Sequence, residues 1–365
     1  IIKDKLWFAF AFESHLLGRG READVEGILP TPRPHIKFIN KGTLKVTYQI
    51  NARNKLSFLN NVDSVYNQNL KRGVGILPEA QQNRKAGLSG LWGIIWEALL
   101  TDDLVLRSQA AYSKRPQYWY PRLCEGKEIG SCALEPGIIN RFPRRVETNN
   151  AAVGCTGTGE CTAGSAQPYR RLDLDVLQAA NQLQWFLDSK TFGEHSLKLS
   201  HQFYTEKETT RLAQPGNYYE EWNGDVPEAR VDFYSNDPRV EDPRYGWWIA
   251  TDVLYRSVTS LSDAWKPSRY LTLTPAISHI WAQGNNSTGD TVVNQQTFSP
   301  AVSLAWDATR DGRTVLRASY NHYVDIDVTA LSRHTNGGGA RRTCRWNADD
   351  DAFTTGCTYA GGASR

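Results

Sequence analysis

The sequence predicts an all-β protein: an antiparallel transmembrane β-barrel with short turns at one end and long loops at the other. Three observations carry this. Apolar and polar residues alternate with a period of two in segment after segment, the signature of half-buried strands and not of helices. The connectors between those segments alternate between short and long. The two faces created by the alternation also differ in kind. One is rich in Trp, Phe, Tyr and Leu, and the other is mostly Ser, Thr, Ala, Gln and Asn with an occasional Arg or Lys.

The strands follow in order. In 4–13, Leu6, Phe8, Phe10 and Phe12 share a side. In 43–51, Leu44, Val46, Tyr48 and Ile50 oppose Lys45, Thr47, Gln49 and Asn51. Segment 91–100 carries Trp92, Ile94, Trp96, Ala98 and Leu100 on one parity, and 104–112 sets Leu104 and Leu106 against Arg107 and Gln109. Segments 181–187, 196–204, 298–307 and 314–323 repeat the rhythm, as does 263–281, DAWKPSRYLTLTPAISHIW, where Leu271, Leu273, Pro275, Ile277 and Trp281 alternate with small polar residues. The pattern implies about eleven strands.

The short connectors are 51–54, 101–103, 188–195, 266–269 and 308–313, whose Pro, Gly, Asn and Asp supply turn chemistry. The long ones are 14–42, 63–88, 114–171, 206–252 and 284–296, with a Gly-rich end over 325–365. Loops this long are uncommon in compact domains and are usually functional. Bacterial outer-membrane barrels have this two-sided form, with short periplasmic turns and long extracellular loops. The small polar parity then lines a wet, partly filled lumen. The aromatic parity meets lipid, with Trp7, Trp185, Trp265, Trp281 and Trp306 as interfacial girdle residues. A large soluble sandwich or propeller is the alternative, but no blade-like repeat period is evident.

Composition narrows the field. The chain has 365 residues and a net charge of +3, with no Lys/Arg block of the kind that binds nucleic acid. No run of about 18 apolar residues exists, so no transmembrane helix is expected, which leaves spanning strands untouched. Met is absent, the chain opens on Ile1-Ile2, and no signal peptide is visible, so a mature product or an internal piece of something longer is expected. Six cysteines fall in three close pairs, Cys124/Cys132, Cys155/Cys161 and Cys344/Cys357, all in loop-like sequence. Local disulfides in an oxidising compartment are the reading, since zinc would want a C-x-x-C or a nearby His.

No catalytic motif is present: no G-x-S-x-G, H-E-x-x-H or P-loop occurs. His322 with Asp325 and Asp327 reads as strand-end and loop residues, not as a protease dyad. Asp349, Asp350 and Asp351 are the one candidate for a metal, structural Ca²⁺, although three successive acids also make an ordinary solvated run. The stretches 218–230 and 235–248 combine acids with aromatics, which suits either a sugar or peptide ligand or loop packing. Asn285-Asn286-Ser287-Thr288 is a glycosylation sequon by letter only. Arg107, Lys198 and Arg317 fall on the polar parity as lumen-facing candidates, and charges there need partners.

Four segments, in order, resemble the Oar-like group of TonB-dependent outer-membrane receptors. IIKDKLWFAFAF resembles the group's strand that follows the plug, and GEHSLKLSHQF resembles its G-x-H-x-L-K-x-G strand. SLSDAWKPSRYLTLTPAISHI resembles its D-x-W-x-P hairpin, and FSPAVSLAWDATRDGRTVLRASYNHYVD its F-x-P-R hairpin. Ala301 replaces the usual Arg, Ser278 with His279 replaces a Gly-x-Arg ending, and Asn321 replaces Gly. The resemblance implies roughly half of a 22-stranded barrel, of the size class whose lumen is plugged. It implies an outer-membrane location with the long loops extracellular. It also implies uptake of a scarce ligand (small molecule, peptide or oligosaccharide) with a plug domain and TonB as partners outside this chain, and no chemistry on the substrate. The alternatives are a structural or surface-assembly barrel whose stapled loops bind a surface protein, and a soluble secreted carbohydrate-binding β-protein.

Overall fold

Seventeen strands and no helix occur among the residues described by a computed structural model, namely 5–19, 35–68, 82–121, 144–147, 161–163, 169–189, 191–213, 218–223, 226–234, 248–324 and 341–360. They are β1 (Leu6–Arg19), β2 (His35–Asn51), β3 (Asn54–Gln68), β4 (Gln82–Leu99), β5 (Leu104–Pro121), β6 (Arg144–Glu147), β7 (Cys161–Ala163), β8 (Tyr169–Ser189) and β9 (Gly193–Ala213), followed by β10 (Tyr218–Asn223), β11 (Val226–Phe233), β12 (Trp248–Ser268), β13 (Leu271–Asn285), β14 (Thr291–Asp307), β15 (Val315–Asn321), β16 (Arg341–Asn347) and β17 (Ala352–Ala360).

An eleven-stranded sheet runs β1-β2-β3-β4-β5-β8-β9-β12-β13-β14-β15, with every neighbour antiparallel. Its register tests the two-face reading directly, because residues paired across antiparallel strands share a face. One row runs Ala98, Leu106, Leu183, Leu199, Leu261, Ile277 and Pro300. Another runs Phe8, Val46, Phe58, Ile94, Ala110, Ala179 and Phe203. The polar parity aligns as strictly, in a row of Lys55, Glu97, Arg107, Gln182, Ser200, Ser260, Ser278 and Ser299. A slip of one residue at any pairing would put serines among the leucines, so hydropathy and register specify each other.

Among the described residues no layer of protein covers the apolar face. Phe8, Phe10 and Phe12 are 61%, 69% and 65% exposed, and none of Leu271, Leu273 and Ile277 is buried. A continuous apolar face of this extent associates or meets lipid. On β8 its apolar stretch runs from Leu177 to Leu187. Eleven residues of strand, ten rises tilted as barrel strands are, cross roughly 25 Å, the height of a bilayer's apolar band. Aromatics mark both margins. Trp185, Trp265 and Trp306 lie towards the short turns, while Trp92 stacks on Tyr112 at 5.9 Å towards the other end. Two of the indoles on this face have their N–H satisfied: Trp265 donates to the Phe192 carbonyl at 2.7 Å and Trp281 to Asn294 at 3.2 Å. Trp7 departs from the girdle expectation. It pairs with Thr47 on the polar face, because Phe8, Phe10 and Phe12 already hold the other parity.

The short turns form where the sequence places them, each held by a side chain. Asn51 accepts from the Arg53 amide at 2.9 Å, and Asp307 from the Gly312 amide at 2.9 Å, which are Asx-type closures. Gly193, at φ +82°, is required between β8 and β9: a Cβ there would lie 2.1 Å from the Lys266 carbonyl oxygen. One connector is shorter than the sequence reading had it. Segment 284–296 is no long loop; β13 and β14 meet in a tight turn where Asn286 accepts from the Asp290 amide at 2.9 Å.

Strands also run further at the other end than alternation predicts. β5 continues to Pro121, β8 begins at Tyr169, β9 ends at Ala213 and β12 begins at Trp248, inside the segments 114–171 and 206–252 read as loops. Above the apolar band the outward residues become Lys114, Asp175 and Lys207. Hydropathic alternation stops there although the backbone ladder does not.

A second, six-stranded sheet was not foreseen. Its order is β17-β16-β11-β10-β6-β7. Its strands come from the chain between β5 and β8, the chain between β9 and β12, and the chain after β15, all of which leave the main sheet at its long-connection end.

Two outcomes test this architecture. Leu183→Arg should destabilise the vesicle-inserted protein by about 2–4 kcal/mol in denaturant titrations, whereas Gln182→Arg, one residue away on the polar face, should cost far less; equal costs would break the assignment of faces. In the β14–β15 turn, the Thr309 hydroxyl first, then the Arg313 amide, hold the Asp311 carboxyl below its usual range. A depressed carboxyl stabilises the turn above the ordinary carboxylate pKa and loses that contribution as pH falls through the lowered value. Thr309→Ala should therefore raise the Asp311 midpoint in an NMR carboxyl titration.

Candidate functional site: the polar face and the long-connection end

The polar face is where ligand-competent groups converge. Serine, threonine, asparagine and glutamine give it a dense supply of donors and acceptors on rigid strands, with Ser260 and Ser278 hydroxyls 2.7 Å apart across the β12–β13 ladder. Two grooves open on it. The first, about 350 Å³, is lined by Arg107, Gln109, Gln182, Ser200, Gln202 and Ser260 among others. Its lining is mainly amide and hydroxyl, with Arg107, His201, Ala180 and Val258.

The second groove, about 670 Å³, lies towards the long-connection end of β2 to β5. Lys37, Lys41, Arg84 and Arg115 line it, with Asp63 as the only carboxylate among the lining residues. Lys41 also reaches Glu13 at 3.7 Å. Arg84 donates to the Gln117 side-chain oxygen at 2.6 Å and lies over the Trp119 ring at 5.1 Å, with Arg170 on the same ring at 5.2 Å. The three residues are consecutive in register across β4, β5 and β8. The β4 strand bulges between Ala86 and Gly90 here, which moves Arg84 onto this face.

The lumen-facing candidates fall on the polar face by register. Arg107 sits between Glu97 and Gln182, Lys198 between Gln184 and Ser262, and Arg317 opposite Ala305. They are not gathered into one site: only Arg107 lines a groove described above. Lys37, Lys41, Arg84 and Trp119 escaped the sequence reading because each lies in a segment taken as loop. The period-two alternation does reach Lys37, Ile39 and Lys41, but with both parities polar or mixed it leaves no hydropathic signal.

The second sheet absorbs the acid-and-aromatic stretch 218–230. Arg230 lies 3.8 Å from the Tyr218 ring centroid and donates to Asp232 at 2.9 Å, while the Trp222 indole donates to Glu220 at 3.1 Å. Burial, then the Glu220 charge, pushes the Tyr218 hydroxyl above its usual range. Tyr218, Glu220, Trp222 and Asp232 are engaged within the hairpin itself. Residues 235–247 lie outside the described residues. Cys344 and Cys357 are bridged across β16 and β17, and Cys344 is 1% exposed. Cys124, Cys132 and Cys155 lie outside the described residues, as do Asp325 and Asp327, and of Cys161 only the backbone, in β7, is described. Asp349, Asp350 and Asp351 occupy the β16–β17 turn, where Asp350 accepts from Asn347 at 2.6 Å and Thr354 at 3.2 Å. No group of three or more His, Cys, Asp or Glu side chains positioned to hold a metal occurs among the described residues.

No family model and no curated protein matches the chain. Solved structures do. The outer membrane transporter YddB from Escherichia coli superimposes on 94% of this chain at TM-score 0.60 with 12% identity. The siderophore receptor PiuA from Acinetobacter baumannii does so on 95% at 0.55 with 10% identity, and BauA, the ferric preacinetobactin receptor from the same organism, on 93% at 0.52 with 11% identity. The fold is that of the TonB-dependent outer-membrane receptors. This chain spans about half of each receptor structure: 42%, 52% and 50% of their lengths. In a receptor barrel of this kind the polar face is the interior and the apolar face meets lipid, which agrees with the register derived above.

Replacing both Cys344 and Cys357 with serine should weaken the β16–β17 hairpin by about 3 kcal/mol, the scale for a loop of this size. Hydrogen exchange should speed up in β16 and β17 and stay unchanged in β12 to β14.

Proposed function

We propose that this chain is part of a TonB-dependent outer-membrane transporter that draws a scarce ligand from outside through a plugged lumen, its long connections facing the exterior. The observation that carries the reading is the segregation of an apolar from a polar face across the eleven-stranded sheet, with both described grooves opening onto the polar one. A surface that is apolar outside and hydrogen-bonding inside is what a solute path across hydrocarbon requires. The plug domain and TonB are the partners this reading needs. Strand extension past the apolar band fits an exterior rim, and a cross-strand disulfide at that end fits an oxidising side.

The six-stranded sheet favours a second use of the same barrel: a surface-assembly component whose stitched connections bind a partner protein. The two are separated by one measurement. Detergent-solubilised full-length protein, first shown to be folded by heat-modifiable gel mobility, should retain the purified periplasmic domain of TonB in a pull-down, and cells lacking TonB should lose the uptake it supports. A folded protein that never retains TonB would leave the surface-assembly role.

A further inference from the structure

We propose that the groove between β2 and β5 binds a small polyanion, a solute carrying two or more carboxylate or phosphate groups, as it enters from the long-connection end. The inference rests on the polar face being the interior of a transport barrel. It adds the class of ligand.

Charge comes first. Lys37, Lys41, Arg84 and Arg115 stand against Asp63 in the lining and Glu13 beside Lys41. Four cations stand against one carboxylate in the lining, with Glu13 beside Lys41 and Glu206 near Arg115 at its edge, which leaves positive charge in excess in a concave site. Low-dielectric walls focus such a field and raise the local concentration of anions. The lining of the other groove has Arg107 and His201 and otherwise neutral side chains, with no cluster of lysines and arginines like this one.

Geometry comes second. The Arg84 guanidinium lies over the Trp119 ring, and one of its nitrogens donates to Gln117. Those contacts fix its position while leaving further in-plane donors. Its Nε is buried and has no hydrogen-bond partner, a costly arrangement for a charged donor until an acceptor arrives. Arg170 reaches the same ring, so two guanidinium groups are anchored beside one indole. A fork of donors held on an aromatic face is suited to an oxyanion, and best to one whose own skeleton is flat. Neutral polar neighbours Asn61, Asn67, Ser113 and Gln117 supply donors without adding charge of the opposing sign.

The competing occupant is a segment of the protein's own plug. Position argues for the solute, since the groove sits at the end that a ligand from outside meets first, above the Arg107 groove in register.

The test is equilibrium binding to the purified full-length protein in detergent, by calorimetry. The probes are inorganic pyrophosphate and trimesate, a planar trianion, with trehalose and spermine as neutral and cationic controls. Pyrophosphate and trimesate should bind and weaken as salt rises, and the controls should not bind. Arg84→Gln and Lys37→Gln should each weaken anion binding roughly tenfold, Arg84→Lys less, and Lys198→Gln not at all. Heat-modifiable mobility identifies folded variants, and Lys37→Gln keeps the test open if Arg84→Gln does not fold. Anion binding unaffected by both substitutions, or no anion binding, would overturn the site. Accelerated proteolysis of the plug in Arg84→Gln with unchanged anion binding would assign the groove to the plug and overturn it also. Loss of TonB retention with anion binding intact would count against the transport reading alone.

Discussion

Hydrocarbon offers no partner to a backbone N–H or C=O, and that constraint organises everything else in this molecule. Each unsatisfied group costs several kcal/mol, so a chain crosses as a closed helix or with neighbouring strands on both sides. Among the described residues no helix is long and apolar enough to cross, and the apolar surface is carried by strands. The ladder continues from β1 through β15 without a missing neighbour between them. Side chains then only decide which surface faces which medium. That is why the hydropathy of an individual strand can be modest while the register across strands is strict.

The same constraint explains what could be read from the sequence. Where the outward parity must be apolar, alternation is strong, and the central rows of β4, β5, β8, β9, β13 and β14 were legible to within a residue or two. The turns were legible because Asn51, Gly193 and Asp307 carry conformational instructions in their own chemistry. Above the lipid band the outward residue is free to be Lys114 or Asp175. The strand persists there for backbone reasons that composition does not record. The basic groove sits in that silent zone, and so sequence analysis found the faces but not the site. Segment 284–296 differs in the opposite way: its cluster of Asn, Ser, Thr and Gly predicts a long loop, while those residues close a five-residue turn. The six-stranded sheet was illegible because its pairing is between connections far apart in sequence, such as β11 with β16.

Polar and charged residues are handled differently by region. Near the short turns they serve closure and anchoring: His195 bonds Asp263 at 2.7 Å and stacks on Trp265 at 5.8 Å, which ties β9 to β12 at the lower margin of the apolar face. Towards the other end, Asp173 accepts from both Arg171 and Arg211, at 2.7 and 2.6 Å, bracing β8 against β9 where lipid no longer does so. On the inner face of β2 to β5 the cations are less fully matched by carboxylates. The imbalance is therefore a property of one region, and chemistry directed at a ligand is the economical account of it.

The second sheet has a consequence for how this protein can change over generations. Its strands are contributed by three separate excursions of the chain, and each excursion is bonded to another: β6 lies beside β10, and β11 beside β16. Trimming or lengthening one excursion strips hydrogen bonds from a different one, so surface variation cannot be tried loop by loop. Substitutions in 144–147, 218–223, 226–233 and 341–347 are expected to covary across lineages, whereas the 348–351 turn, which no second excursion touches by pairing, is where a new insertion would be carried at least cost.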